Sequence, residues 1–180
     1  MLLSYKYCLT QFGNQYQIDK LVSEGKLYKI APGIYSDQAE VSELDIITFR
    51  YPHTIFTMNS AFFYHGLTDV IPEKYYLASE KDGHKITDNR IKQYFHRANT
   101  FHIGYQRILY QNSTIRIYDQ ERMLIELIRN KNNLPFDYYK EIIENYRKRI
   151  HSLDIEKLQD YISKFPKQTH IFETIQLEVF

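Results

Sequence analysis

Three acidic side chains in the stretch YDQERMLIEL, namely Asp119, Glu121 and Glu126, are the residues of this sequence most suited to chemistry. Carboxylates act in nucleases and transferases as acids, bases and metal ligands. A structural role explains them without any chemistry: Asp119 precedes a helical pattern that it is suited to cap, and Arg122 and Glu126 are four residues apart and can pair along the helix. The motif alone therefore leaves both roles open.

We favour the structural role and expect no enzymatic activity. Asp119 and Glu121 flank a predicted helix start, where the helix dipole favours acidic residues. In this interpretation Asp119 caps the helix and Arg122 ties the helix to the preceding sheet. The competing hypothesis is an enzyme that uses residues 119–126.

No other pattern predicts catalysis or a cofactor. None of the seven histidines forms a His-x-x-x-His pair or accompanies a cysteine cluster, so we expect no metal site. The sequence has neither a glycine-rich phosphate loop nor a Gly-x-Ser-x-Gly motif. Its single cysteine, Cys8, excludes an internal disulfide and fits a reducing compartment. Because no apolar stretch approaches the roughly 20 residues that span a bilayer, we expect a soluble, cytoplasmic protein.

A second set of polar residues is better suited to DNA than to catalysis. Ile18, Leu21 and Val22 have helical spacing and predict a helix with one buried face, which Asn14 caps and Gly25 ends. Glutamine suits the donor and acceptor edge of adenine, and lysine suits guanine or phosphate. The outward face of this helix carries Gln15, Gln17, Asp19 and Lys20.

A predicted hairpin follows this helix at once, with two strands around a turn at Pro32-Gly33. Lys26 and Lys29 lie on it and are placed for phosphates, and Asn14 with the amide groups of the helix start also suits a phosphate. In a winged helix-turn-helix, one helix enters the major groove and a hairpin touches the neighbouring backbone. The same arrangement also occurs as a packing corner or a site of protein contact.

Charge and length limit the DNA-binding hypothesis. The chain has a net charge of +1, and residues 1–36 contain only four lysines against two acidic residues. Because phosphate neutralisation supplies most non-specific affinity, we expect a monomer to bind DNA weakly and tight binding to need self-association on the DNA. A winged module usually has three helices and only one fits before Gly13, so the third must come from residues 37–51 or be absent.

The remaining pattern predicts an α+β fold. Strand-like segments occupy much of residues 74–118 and include a hairpin turn at Gln111-Asn112-Ser113. From residue 119 the chain is helical. We expect an N-terminal winged helix-turn-helix-like unit at residues 1–36, or extending to residue 51. A mixed α/β domain with a helical C-terminal part follows at residues 52–180.

Three segments in succession resemble the AbiEi-type antitoxins of bacterial abortive-infection toxin–antitoxin systems. QIDKLVSEGKLYKIAPGIYS resembles the family's recognition helix and wing. YPHTIFTMNSAFFYHGLTDVIPEKYYLAS is similar to its segment with His-Gly-Leu-Thr, and IRIYDQERMLIELIR to its strand followed by a Glu-Arg-x-Leu helix. The order and spacing of the three carry the resemblance, although the N-terminus is shorter than in longer members.

The resemblance implies a transcriptional autorepressor that binds the operator DNA of its own operon and counteracts a nucleotidyltransferase-like toxin in phage defence. The toxin is a functional partner, and the resemblance does not imply a stable complex with it. Matched to the family's helix and wing, the DNA contacts fall on Gln15, Gln17, Lys20, Lys26 and Lys29. The alternative is a protein-interaction module whose winged unit does not bind DNA.

Overall fold

A computed structural model describes the whole chain, residues 1–180, and has the predicted α+β fold. The chain divides into two compact units. Unit 1 comprises Met1–Pro52 and Gln111–Ile115, and unit 2 comprises His53–Tyr110 and Arg116–Phe180. The boundary after Pro52 lies next to residue 51, the longer of the two C-terminal limits predicted for the N-terminal unit. The short segment 111–115 groups with unit 1.

Unit 1 combines three helices with a three-stranded antiparallel sheet of order β1-β3-β2. Its elements in chain order are β1 (Leu2–Ser4), α1 (Tyr5–Phe12), α2 (Gln15–Ser23), β2 (Tyr28–Ala31), β3 (Ile34–Ser36) and α3 (Glu43–Arg50). Strand β1 was not predicted. In this strand Leu3 pairs with Tyr35 of β3, and only such long-range pairing distinguishes a three-residue strand from a helix start.

Local sequence explains where the first two helices begin and end. Helix α1 ends at Gly13, which has a φ of 91° that favours glycine. Asn14 caps α2, since its Oδ1 accepts a hydrogen bond from the Gln17 amide at 3.0 Å. Ile18 is fully buried, as predicted, and so is Cys8, in a core that they share with Leu3, Leu27 and Tyr35.

Helix α3 gives unit 1 a third helix within the predicted segment 37–51. Ser42 caps it, because its Oγ accepts from the Asp45 amide at 3.0 Å. Leu44 and Ile47 are its buried residues, and the helix contacts β1. Unit 1 therefore contains the sequence of elements strand, helix, turn, helix, hairpin and helix.

The larger sheet is five-stranded and mixed, with the order β6-β5-β4-β8-β7. Its strands are β4 (Ile55–Phe56), β5 (Tyr75–Glu80), β6 (Ile91–His96), β7 (Tyr105–Tyr110) and β8 (Ser113–Tyr118). Strand β4 is antiparallel to β5 and parallel to β8, and β5 is parallel to β6. Gln111 and Asn112 both have positive φ, 45° and 66°, as two-residue hairpin turns require. The predicted hairpin turn is confirmed.

Six helices complete unit 2: α4 (Met58–Tyr64), α5 (Ala98–Phe101), α6 (Gln120–Arg129), α7 (Phe136–Lys148), α8 (Ile155–Ser163) and α9 (Gln168–Glu178). The predicted helical character from residue 119 onward is confirmed. Helix α6 is buried along residues 121–128 and contacts α4, α8 and α9, which places it at the centre of unit 2. None of the helices combines the length and the apolar character needed to cross a membrane.

Candidate nucleic-acid interface

Helix α2 has its apolar side in the core of unit 1 and its polar side in solvent. Ile18 has no exposed surface, and Leu21 and Val22 pack against the same core. The four residues that the sequence pattern places on the outward face, Gln15, Gln17, Asp19 and Lys20, are all exposed. The structure therefore leaves every predicted contact of α2 accessible to a ligand.

Two hydrogen bonds already engage part of this face. The side-chain oxygen of Asn14 is used to cap α2, and the Gln15 Nε2 donates to Asp19 Oδ1 at 2.6 Å. Exposed pairs of this kind along a helix contribute only about 0.2–0.5 kcal/mol. A DNA base could therefore displace Asp19 from Gln15 at small cost, whereas the Asn14 oxygen is part of the helix start.

Glu24, just after α2, weakens the basic character of this surface. Its carboxylate lies 2.8 Å from Lys26 Nζ and 3.9 Å from Lys20 Nζ. The hydrogen bond from Lys26, and then the charge of that lysine, lower the pKa of Glu24. Two of the lysines predicted to contact DNA thus share one ionised carboxylate, which the sequence pattern could not show.

The hairpin is held in place at its turn. Arg50 of α3 donates to the Pro32 carbonyl at 3.5 Å, and the Tyr5 amide at the start of α1 donates to the Gly33 carbonyl at 2.9 Å. Lys29 is exposed on β2, and no carboxylate lies within ion-pair distance of it. It is therefore the predicted phosphate contact whose charge is least compensated.

Tyr16 is an exposed residue of α2 that the sequence pattern did not select. Its side chain is 73% exposed, which is unusual for a large aromatic residue and suits stacking on a base or contact with a protein. Tyr16 precedes Ile18 by two positions, about 200° around a helix, and this offset was the available signal. Tyr7 of α1 is also exposed.

The acidic motif at the start of α6 lies in unit 2 and is engaged by protein donors. Asp119 Oδ1 accepts from the Arg122 amide at 2.8 Å, the predicted cap, and its Oδ2 accepts from the Tyr161 hydroxyl at 3.0 Å. Lys157 Nζ lies 2.8 Å from Glu121 and 3.2 Å from Asp119. Burial and the nearby Asp119 charge raise the pKa of Tyr161 to about 12. This geometry favours the structural role of the motif.

Arg122 connects α6 to more of unit 2 than predicted. Its guanidinium lies 4.5 Å from the ring centre of Tyr118, at the end of the preceding strand β8. Its Nη1 donates to the carbonyls of Thr100 at 2.6 Å and Ile103 at 3.2 Å, both between β6 and β7, and its Nη2 lies 3.3 Å from Nδ1 of His96 at the end of β6. The predicted tie to the preceding sheet is thus made by the Tyr118 ring and by His96, and the hydrogen bonds to the two carbonyls hold the segment around α5.

No group of three or more His, Cys, Asp or Glu side chains is arranged to hold a metal ion. His96 and His102, six residues apart in the sequence, have separate partners. His96 Nδ1 lies 3.8 Å from Glu126, and His102 Nε2 lies 3.5 Å from Glu80.

Comparison with known proteins gives a structural likeness. No protein-family model and no curated protein matches the chain. Among solved structures, the fold is similar to the crystal structure of the RV2827C protein from Mycobacterium tuberculosis, with a TM-score of 0.68. The two are 12% identical, and the likeness covers 99% of this chain and 71% of that chain. At this identity the likeness establishes the α+β fold alone.

Proposed function

We propose that this protein is a DNA-binding transcriptional autorepressor and the antitoxin of an AbiEi-type system, which counteracts a nucleotidyltransferase-like toxin without enzymatic activity. The observation that carries the DNA-binding part is the order of elements in unit 1. Helices α1 and α2 are joined by two residues, α2 presents a polar face, and the β2–β3 hairpin follows directly. This is the order of elements in a winged helix-turn-helix.

The structure supports a binding mode in which α2 reads the major groove and the hairpin touches the backbone. Gln15 and Lys20 are the exposed polar residues of α2 best suited to base edges, and Tyr16 adds an aromatic surface. Lys29 on the hairpin contacts a phosphate of the DNA backbone. Helix α3 supplies the third helix of the module, from the C-terminal side and not before α1.

The modest charge of unit 1 implies that two copies act together on DNA. Each phosphate neutralised by a lysine contributes about 0.9 to the slope of log affinity against log salt. With Glu24 against Lys20 and Lys26, one copy neutralises few phosphates, so binding at physiological salt needs a second copy on a repeated half-site. The protein acts in the cytoplasm, where its operator lies.

A salt-titrated gel shift with the DNA upstream of its own gene tests the repressor. We expect operator binding tighter than random DNA, weakened several-fold by Lys20→Gln. Lys164→Gln is the matched control, because Lys164 is also exposed and paired with an acidic residue four positions away, but lies directly after α8 in unit 2. If the affinity for the operator is no higher than the affinity for random DNA at every salt concentration, the protein is not a repressor of this operator.

The ion pairs of Glu24 lead to a second prediction, in which a substitution strengthens DNA binding and does not weaken it. Glu24→Gln releases Lys20 and Lys26, so we expect tighter operator binding and a salt slope that steepens by about one phosphate contact. Glu40→Gln removes the same charge from an exposed position of unit 1 away from α2 and should change neither quantity. An equal effect of both variants would mean that only net charge matters and that α2 is not the contact.

The second candidate is a protein-interaction module, which the Glu24 ion pairs and the exposed Tyr16 favour. Two results together would support this module: Tyr16→Ala abolishes toxin neutralisation, and the protein shows no specific operator binding.

For the antitoxin part, we expect a nucleotidyltransferase-like reading frame directly downstream. Co-expression of that frame with this chain should restore growth that the frame alone arrests.

A further inference from the structure

A cavity of about 610 Å³ lies in unit 2 between the end of α6 and the length of α9. Ile128 and Ile171 contribute apolar walls, and both side chains are buried. Residues 166–170 form one rim and residues 129–132 form the other. Sites for small ligands commonly have volumes of about 300–1,000 Å³, and this cavity lies within that range, with a lining that is mostly polar around the two isoleucines.

The rim of the cavity is basic. Arg129, Lys131 and Lys167 line it together with His170. Lys167 and His170 are exposed, and neither has a protein partner for its side chain. Arg129 donates to the buried Glu126 through Nη1 at 2.9 Å, which leaves the rest of its guanidinium to other acceptors. The positive charges of these side chains favour the binding of an anion in the cavity.

The one carboxylate in the lining does not cancel this charge. Glu178 accepts hydrogen bonds from Lys131 Nζ and from the Tyr139 hydroxyl. Although burial raises the pKa of Glu178, these hydrogen bonds outweigh it and lower the pKa. Glu178 is therefore neutralised by Lys131, and Arg129 and Lys167 remain as the positive excess.

The start of α9 adds to the attraction. The helix has eleven residues, and no side chain caps its N-terminus at Lys167. The first intrahelical amide donor is Ile171, so the amides of residues 168–170 have no partner within the helix. Such a helix start has a partial positive charge that favours a phosphate or another anion.

We propose that this cavity binds a small organic phosphate, of the size of a nucleoside monophosphate or a sugar phosphate. Its phosphate group contacts Lys167, Arg129 and the start of α9, and its organic part lies against Ile128 and Ile171. The site lies within unit 2 and is independent of the proposed DNA-binding face of α2. A free phosphate ion would leave the apolar walls unused, so the organic part is an essential element of the proposal.

The test titrates the full chain, labelled with nitrogen-15, with AMP and with glucose 6-phosphate, and follows the amide signals and the heat of binding. Adenosine, glucose and inorganic phosphate are the paired controls. We expect at least one organic phosphate to saturate, with signal changes at residues 128–132 and 166–174. The uncharged counterpart should bind about tenfold more weakly or not at all, because it lacks the charge-assisted hydrogen bonds of the phosphate, each of which contributes at least this factor. Inorganic phosphate should also bind about tenfold more weakly or not at all, because it lacks the organic part that packs against the apolar walls.

Lys167→Gln should weaken that binding about tenfold, and Lys148→Gln should not. Lys148 is an equally exposed lysine on α7 outside the cavity lining. Both positions are on the surface, so both variants should fold, and operator binding should be the same in both. The proposal is overturned if neither organic phosphate saturates, if inorganic phosphate binds as tightly, or if Lys167→Gln has no effect. Tighter binding of a single-stranded oligonucleotide through Lys167 would equally overturn it, in favour of a nucleic-acid contact.

Discussion

Arg122 is the residue on which the interior of unit 2 most depends. It is fully buried, and its guanidinium lies between the rings of Tyr118 and Phe165, at 4.5 and 4.4 Å from their centres. Its Nη2 lies 2.8 Å from the carboxylate of Glu126, which is also buried. Although burial raises the pKa of Glu126, the charge of Arg122 is the main opposing cause and the net direction is downward. Each charge therefore stabilises the other in the interior, and Arg129 is a second ion-pair partner of Glu126 at 2.9 Å.

We predict that Arg122→Ala lowers the free energy of unfolding by about 3–5 kcal/mol, because it leaves the buried Glu126 with the partly exposed Arg129 as its remaining arginine partner and removes the packing between two aromatic rings. Urea unfolding followed by circular dichroism measures this. Arg97→Ala is the matched control, since Arg97 is an exposed arginine in the same unit without a side-chain partner, and we expect a change within about 0.5 kcal/mol. An Arg122→Ala protein with unchanged melting temperature but no toxin neutralisation would contradict the structural role and make Arg122 functional.

At the scale of elements, the start of α6 is fixed against the turn before β7. Gly104 has a φ of 75°, and its carbonyl accepts from the Asp119 amide at 2.7 Å. A Cβ at Gly104 would lie 2.4 Å from the Cβ of Arg122 and 2.9 Å from Asp119 Oδ1. This close approach of turn and helix requires glycine for its backbone conformation and for its lack of a side chain.

We predict that Gly104→Ala is markedly more destabilising than Gly66→Ala in the same unit. Gly66 also has positive φ, 64°, but a Cβ there would meet only Arg149 Nη2 at 3.5 Å, an ordinary contact. Backbone strain costs about 1–3 kcal/mol at both positions, and the clash with α6 adds about 1–3 kcal/mol at Gly104 alone. Chemical denaturation of both variants measures the difference, and equal losses would show that turn and helix separate without cost.

At the scale of the whole molecule, buried histidines link stability to pH. Burial lowers the pKa of His65 and of His96 below the usual value of about 6.5. His96 Nδ1 lies 3.3 Å from Arg122 Nη2, where it can accept a hydrogen bond only when unprotonated. His65 Nε2 lies 2.7 Å from the Tyr118 carbonyl. The unfolded chain therefore binds more protons than the folded protein just below pH 6.5.

We predict that stability is fully present above about pH 6.5 and decreases as the pH falls below it, by up to about 1.4 kcal/mol per pH unit for each histidine. Urea unfolding between about pH 7.5 and pH 5.5 measures the slope. His96→Gln should reduce the slope, and substitution of the exposed His151 by Gln should not. A stability that stays constant over this range would mean that protonation of neither histidine opposes folding.

The sequence by itself determined the features that depend on neighbours along the chain. Asn14 and Gly13 define the boundary between α1 and α2, Asp119 defines the start of α6, and the spacing of Ile18 and Leu21 defines which side of α2 is buried. Caps, turns and periodicity act over three or four residues, so the residue types suffice to predict them.

Only the tertiary structure decided which groups meet across long separations. It paired Leu3 with Tyr35 in a strand that the sequence pattern does not reveal, and it brought Arg122 to the carbonyl of Thr100. It also brought residues 128–132 beside residues 166–178 to form a basic cavity that no motif predicts. These contacts depend on how the elements pack, and packing is set by the shape of the whole core, which no short stretch of sequence specifies.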